Sequence, residues 1–128
     1  MSFSATRISP FAPALVCLIG ITVLSLTSGV QLPGFQMLSA DKLAHAIAYG
    51  LLSFLIAHGL HLTRNRNLRT TEWVGAGFFA SGYGALMEWA QHRFTTGRFF
   101  EYDDMIANCV GAALGLTLFH LSFKTKAR

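Results

Sequence analysis

Charge is what this chain has least of. Asp, Glu, Lys and Arg together make up 12% of its 128 residues, half the ~25% typical of soluble domains. So few charges cannot give an ordinary water-facing surface to a chain this apolar. Cysteine is also scarce. Cys17 and Cys109 stand alone, with no Cys-x-x-Cys or haem-attachment spacing, which argues against thiol redox chemistry and thiolate metal sites. They fall at different depths of two separate apolar runs, too far apart for a disulfide, and read as packing residues. The three prolines are Pro10, Pro13 and Pro33, so no later run is broken by one. No H-E-x-x-H, P-loop or G-x-S-x-G pattern occurs. The strict alternation of a membrane β-barrel is missing too.

What the chain has is long apolar runs. Four fill most of it: Phe11–Ser28, Leu43–Leu62, Trp73–Ala90 with one acid near its end, and Met105–Phe123. Each approaches the ~20 residues that cross a ~30 Å hydrocarbon core at 1.5 Å per residue. The expected fold is all-α: an integral membrane four-helix bundle in one domain covering residues 1–128, with helices near 11–28, 42–62, 72–94 and 104–123. Phe11–Leu26 is long for a signal-peptide core and no clean small-x-small site follows in Leu24–Gly29, so it is expected to stay as a helix. Pro10 and Pro13 suit a first helical turn, Pro33-Gly34 marks a turn, and Ser39 or Asp41, then Thr70 or Thr71, are candidate caps. Gly111 and Gly115 form a G-x-x-x-G pair, and the third run is rich in Gly, Ala and Ser. The third and fourth helices are therefore expected to pack most tightly.

The basic residues mark topology. With the N-terminus in the cytoplasm, Arg7, Arg64, Arg66, Arg69, Lys124, Lys126 and Arg128 fall on that side, and Lys42, Arg93 and Arg98 on the other. Seven against three follows the positive-inside tendency. Both termini are expected inside, in the inner (cytoplasmic) membrane. The formal charge of +4 then needs no nucleic-acid partner.

The polar residues gather at one face. Asp41, His45 and Tyr49 share a helical stripe; so do Glu88, Gln91, His92 and Thr95, and Asp104, Asn108, Gly111 and Gly115. In the expected topology all three stripes reach one level, with Lys42, Arg93, Arg98, Glu101 and Asp103 beside them. Glu88 lies inside its run, where an ionised carboxylate costs roughly 2.5 kcal/mol or more at full depth. Lys42, His45, Arg93 and Arg98 are its candidate partners.

These residues carry a resemblance. Asp41-Lys42-Leu43-Ala44-His45 with Tyr49 resembles the D-K-x-x-H-x-x-x-Y segment of VanZ-like membrane proteins. Gly84 to Gln91 is similar to their G-x-x-x-E-x-x-Q segment. Gly97-Arg98, Asp104 with Asn108, and Gly111 with Gly115 follow the same pattern in the same order, over nearly the whole chain. The acid-rich Phe100–Asp104 stretch departs from it, Asp103 being an extra acid. The resemblance implies site residues at Asp41, Lys42, His45, Tyr49, Glu88, Gln91, Arg98, Asp104 and Asn108. It also implies a bacterial envelope role, the founder of the family being associated with teicoplanin resistance.

Several functions fit this cluster. Lys42, His45, Glu88, Gln91, Arg98, Asp104 and Asn108 would line a pocket for an amphiphile with an anionic head, Lys42 and Arg98 taking the head. A membrane lipid, a lipid-linked carrier or a lipoglycopeptide meets that description. Alternatively His45, Glu88 and Asp104 would do general acid–base work on a lipid headgroup, or, with His92, offer N and O ligands to a metal. In a third reading the cluster is a hydrogen-bonded clasp that fixes helix order. Transport is disfavoured, because no broken helix is evident. No motif names a cofactor or metal, and none is expected.

Overall fold

In an apolar medium every backbone N–H and C=O must be bonded within its own segment, so long apolar runs become helices. The computed structural model describes residues 7–27, 38–96 and 100–123. They form α1 (Ala12–Leu26), α2 (Leu38–Arg64), α3 (Thr70–Phe94) and α4 (Tyr102–Phe123), with no strand among them. The all-α expectation holds, with shifted ends. α2 begins before Asp41, which lies in its first turn, and α4 carries Asp103 and Asp104 in its first turn, where the helix dipole favours acids. The cap of α3 is Arg69, not Thr70 or Thr71. The reason is Glu72, whose carboxylate accepts the Arg69 backbone N–H at 2.7 Å. The Pro33–Gly34 turn, Arg98 and the basic tail Lys124, Lys126 and Arg128 lie outside the described residues.

Among the described residues two helices are long and apolar enough to cross a membrane, α2 from Asp41 and α4. α1 has 15 residues, about 22 Å of helix. α3 has the length, but its glycines, Ser81, Tyr83, its tryptophans and Glu88 dilute its apolar character. Four crossings were expected; length and apolarity support two of them directly.

The helices pack inside-out relative to a water-soluble bundle. The interior holds six alanines and the polar Ser53, Glu88, Gln91, Asp104 and Asn108 beside Ile21, Tyr49, Leu52, Met87 and Phe119, while many large apolar residues, Val16, Leu24, Phe78, Ile106 and Leu118 among them, are exposed. Small and polar residues inside with large apolar ones outside is how helices associate in lipid, where no hydrophobic force drives them together. The chain is a membrane protein.

α2 and α4 form the closest pair, not α3 and α4. A Cβ at Gly111 would lie 2.1 Å from the Ala46 carbonyl oxygen, and one at Gly115 2.0 Å from that of Gly50. Ser53 Oγ, fully buried, lies 2.8 Å from the Ala112 carbonyl oxygen and 3.0 Å from that of Gly50, donating across the same seam. The α4 glycine stripe thus faces α2. On α3, Gly77 and Gly84 approach α4 side chains, but Gly75 and Gly82 meet nothing within 4 Å. α1 lies against α2 and α3: a short hydrogen bond joins Thr22 Oγ1 to the Tyr83 hydroxyl, and Phe11 covers Gly59.

These contacts fix direction. The starts of α2 and α4 and the ends of α1 and α3 meet at one end of the bundle. At the other, Phe119 is buried among Phe54, His61, Trp73 and Phe123. His58 and the exposed His120 join this aromatic group, and His61 Nδ1 also lies 3.0 Å from the Arg66 carbonyl oxygen. Beside it the α2–α3 turn is pinned. Asn65 takes φ 52°, the left-handed conformation that suits Asn after a helix. Arg66 then grips Glu72 with both terminal nitrogens, at 3.0 and 2.9 Å. That grip holds the Glu72 carboxyl at about 2, below the ordinary 4.5, chiefly through the Arg66 hydrogen bonds and then the Arg69 N–H.

Two outcomes follow. Gly115→Ala forces the α2–α4 seam apart and is expected to cost about 1–3 kcal/mol, the range for overpacking. It is read as a lower unfolding midpoint in micelles, with Gly75→Ala and Gly82→Ala showing no loss. Glu72 is depressed on folding, so its stabilisation is complete above the unfolded pKa near 4.5 and is lost as pH falls toward 2. Unfolding midpoints measured across that window are expected to drop less steeply in Glu72→Gln.

Candidate functional site

The polar end of the bundle is built on two parallel helix starts. On α2 the period of 3.6 residues stacks Asp41, His45 and Tyr49. The rings of His45 and Tyr49 lie parallel, 6.4 Å apart. On α4 the same period aligns Asp104, Asn108, Gly111 and Gly115, all buried. The glycines bring the backbones together, and one to two turns further up the polar side chains meet. Asn108 Oδ1 lies 2.9 Å from His45 Nδ1. A carbonyl oxygen only accepts, so Nδ1 carries the hydrogen. His45 Nε2 then faces Asp104 Oδ2 at 3.5 Å and Asp41 Oδ1 at 3.9 Å. Asp104 is 1% exposed and Asp41 is open to the surface.

α3 closes the site from the side. Gly84 abuts Asn108: a Cβ there would lie 2.7 Å from Asn108 Nδ2. One turn on, Glu88 is 3% exposed, and its Oε1 accepts the Glu101 backbone N–H at 3.0 Å. Of the cationic side chains expected for Glu88, no bond from Lys42, His45 or Arg93 is seen among the described residues; a loop amide just before α4 bonds it instead. Gln91 donates to the Ser25 carbonyl at 3.0 Å and ties the end of α3 to the end of α1. Thr95 Oγ1 bonds back to the Gln91 carbonyl through a short hydrogen bond. His92 is exposed, its ring edge-on to Phe100 at 6.4 Å.

Lys42 points elsewhere. Its ammonium lies 3.7 Å from Asp103 Oδ2. The two head a groove of about 540 Å³ between α2 and α4, walled by Leu43, Ala46, Ile106, Ala107 and Val110. The groove opens outward, on the same side as the exposed apolar residues Leu43, Ile106 and Val110.

Of the expected site residues, the structure brings His45, Asp104 and Asn108 into one cluster with Asp41. It sets Lys42 with Asp103 beside them, and gives Glu88 and Gln91 backbone partners. Arg98 lies outside the described residues. The metal version of the enzyme reading drew on His45, Glu88 and Asp104, with His92 as an optional fourth; the residues that converge are Asp41, His45 and Asp104, with donor atoms within 4.8 Å of one another. Sequence reasoning missed Ser53, because one serine in an apolar run gives no signal of the seam it spans. Among the described residues Glu88 Oε2, Asp104 Oδ1 and Asn108 Nδ2 are buried without a hydrogen-bond partner. Such groups are costly and rarely left idle.

This cluster can orient an imidazole, gather negative charge, and hold a polar group at the rim of an apolar groove. Asn108→Ala is expected to free the His45 ring and unseat the α4 start. Removing one partner of a buried hydrogen bond typically costs about 1–3 kcal/mol, measured here as a fall in the unfolding midpoint, while Tyr102→Ala on the exposed face changes it little.

Comparison with curated proteins and with solved structures gives no match. The family model described as VanZ/LLP1 matches residues 7–123. That stretch takes in all four helices and every member of the polar cluster, and on it the chain belongs to the VanZ/LLP1 family.

Proposed function

We propose that this protein is a small envelope protein of the inner membrane that binds an amphiphile in the groove between α2 and α4, with a role in tolerance of glycopeptide antibiotics such as teicoplanin. The observation that carries the reading is the groove itself: an ammonium at its head, apolar walls below, and an opening on the side where the bundle displays its apolar residues. A phosphate or carboxylate head would replace Asp103 as the partner of Lys42, with Arg98 as a second, bidentate donor. The tail would run along Leu43, Ala46, Ile106, Ala107 and Val110. A lipid, a lipid-linked carrier and a lipoglycopeptide share this chemistry.

In this reading all four helices cross the inner membrane and both termini are cytoplasmic. Arg64, Arg66 and Arg69 lie at the aromatic end of the bundle and Lys42 and Arg93 at the polar end, a separation that supports the orientation. The groove then opens at the outer face.

A second reading makes the protein a membrane enzyme acting on a lipid headgroup. The specific support is His45, oriented by Asn108 and turned toward Asp104. That is how a general base is held, with Glu88 close to the same helix ends.

Native mass spectrometry of the protein released from nanodiscs tests the binding reading. A retained phosphate- or carboxylate-bearing amphiphile is expected. Its occupancy should fall about 10–100-fold when Lys42→Ala is combined with Arg98→Ala, as for loss of charge-assisted hydrogen bonds. Ala107→Trp, which fills the groove, should act similarly. Undiminished retention in both variants contradicts the proposal, and turnover of the amphiphile lost in His45→Gln favours the enzyme. Orientation is read by an impermeant maleimide on intact cells making the protein with Cys17→Ser and Cys109→Ser: Glu101→Cys should label from outside and Asn65→Cys should not.

A further inference from the structure

At the polar end the arrangement of three side chains calls for a cation. Asp41, His45 and Asp104 bring two carboxylate oxygens and one ring nitrogen within 4.8 Å of one another. Asn108 Oδ1 occupies the Nδ1 side of the ring and leaves Nε2, the nitrogen a metal would take, facing both carboxylates. Three electron-rich atoms thus converge. Lys42 does not neutralise them, since its ammonium is directed at Asp103. A proton on Nε2 bridges them poorly: 3.5 and 3.9 Å exceed the ~2.7–2.9 Å of a charge-assisted hydrogen bond.

The geometry points to a divalent transition-metal site formed by Asp41, His45 and Asp104. Ligand atoms each ~2.0–2.2 Å from a metal ion lie roughly 3–4 Å apart, which is the spacing of Nε2 from the two carboxylates. A second observation supports the site independently of the clustering. Asp104 is 1% exposed and its carboxylate directs one oxygen at His45 while the other is buried with no hydrogen-bond partner. A buried carboxylate without donors is stabilised by a metal ion more simply than by any side chain near it. The imidazole is oriented as metal-binding histidines usually are, its far N–H donated to a carbonyl oxygen. One nitrogen with two carboxylates suits zinc or manganese better than calcium or magnesium. Three protein ligands leave at least one coordination position open, on the side of the exposed Asp41, where water or an anionic group would bind. The site stands on these residues alone, whether or not the α2–α4 groove takes an amphiphile.

The test is calorimetric titration of the full-length, tag-free protein, stripped with EDTA and held in micelles, with zinc and separately with manganese chloride. One ion per chain is expected for at least one of them, with a raised unfolding midpoint. Asp41→Asn, a change at an exposed position that keeps the side chain's shape, should weaken binding at least about tenfold and abolish the metal-induced rise of the midpoint. Asp104→Asn and His45→Gln should weaken it further, and Asn108→Ala by roughly 10–100-fold as an orienting partner. Tyr102→Phe, on the exposed face, should bind as the parent does. Cobalt substitution should give visible absorption bands that Asp41→Asn shifts. No stoichiometric binding of either ion, or binding that survives both Asp41→Asn and His45→Gln, overturns the site.

Discussion

Gly111 and Gly115 lie where any side chain would strike a carbonyl oxygen of α2. Because they carry none, α2 and α4 run backbone to backbone, with Ser53 bonded across the contact. The polar end depends on this seam. Asp41 and His45 project from the first turns of α2, and Asp104 and Asn108 from those of α4. They meet only because the seam below sets the separation and register of the two helices. Shifting α4 by one residue rotates its stripe by about 100° and turns Asn108 away from His45.

The seam also explains the distribution of residue sizes. In lipid the bundle gains from close approach and polar bonds, since burying a large apolar side chain offers no advantage over leaving it among acyl chains. Alanines, glycines and polar groups therefore make up much of the interior beside Leu52 and Phe119, and Val16, Phe78 and Leu118 face outward. The two ends are held differently. One is locked by aromatic rings around Phe119 and by the Arg66–Glu72 grip. The other is held by side-chain-to-backbone ties, Gln91 to Ser25 and Glu88 to Glu101. The second arrangement leaves charged atoms facing one another, and that is where function is sought.

The helices and polar stripes were readable from the sequence because both rest on local period: uninterrupted apolar runs, then polar residues three and four apart. The Asp41–His45–Tyr49 and Asp104–Asn108–Gly111–Gly115 stripes are found as spacing predicts. Partner choice was not readable. A G-x-x-x-G pair announces a flat helix face but not its neighbour, and the abundance of small residues in α3 pointed to the wrong helix. Glu88 was matched by charge to Lys42, His45, Arg93 and Arg98; among the described residues its Oε1 takes the loop amide of Glu101. Backbone donors leave no mark in a sequence. The same limit hid Ser53 and placed Glu88, rather than Asp41, among the converging ligands.

Solid-state NMR of the protein in lipid bilayers measures the backbone contact between α2 and α4 directly. Carbon-13 correlation spectra should show through-space cross-peaks from Gly115 Cα to the Gly50 carbonyl and from Gly111 Cα to the Ala46 carbonyl. Their absence, with cross-peaks from the same glycines to α3 instead, would contradict the account.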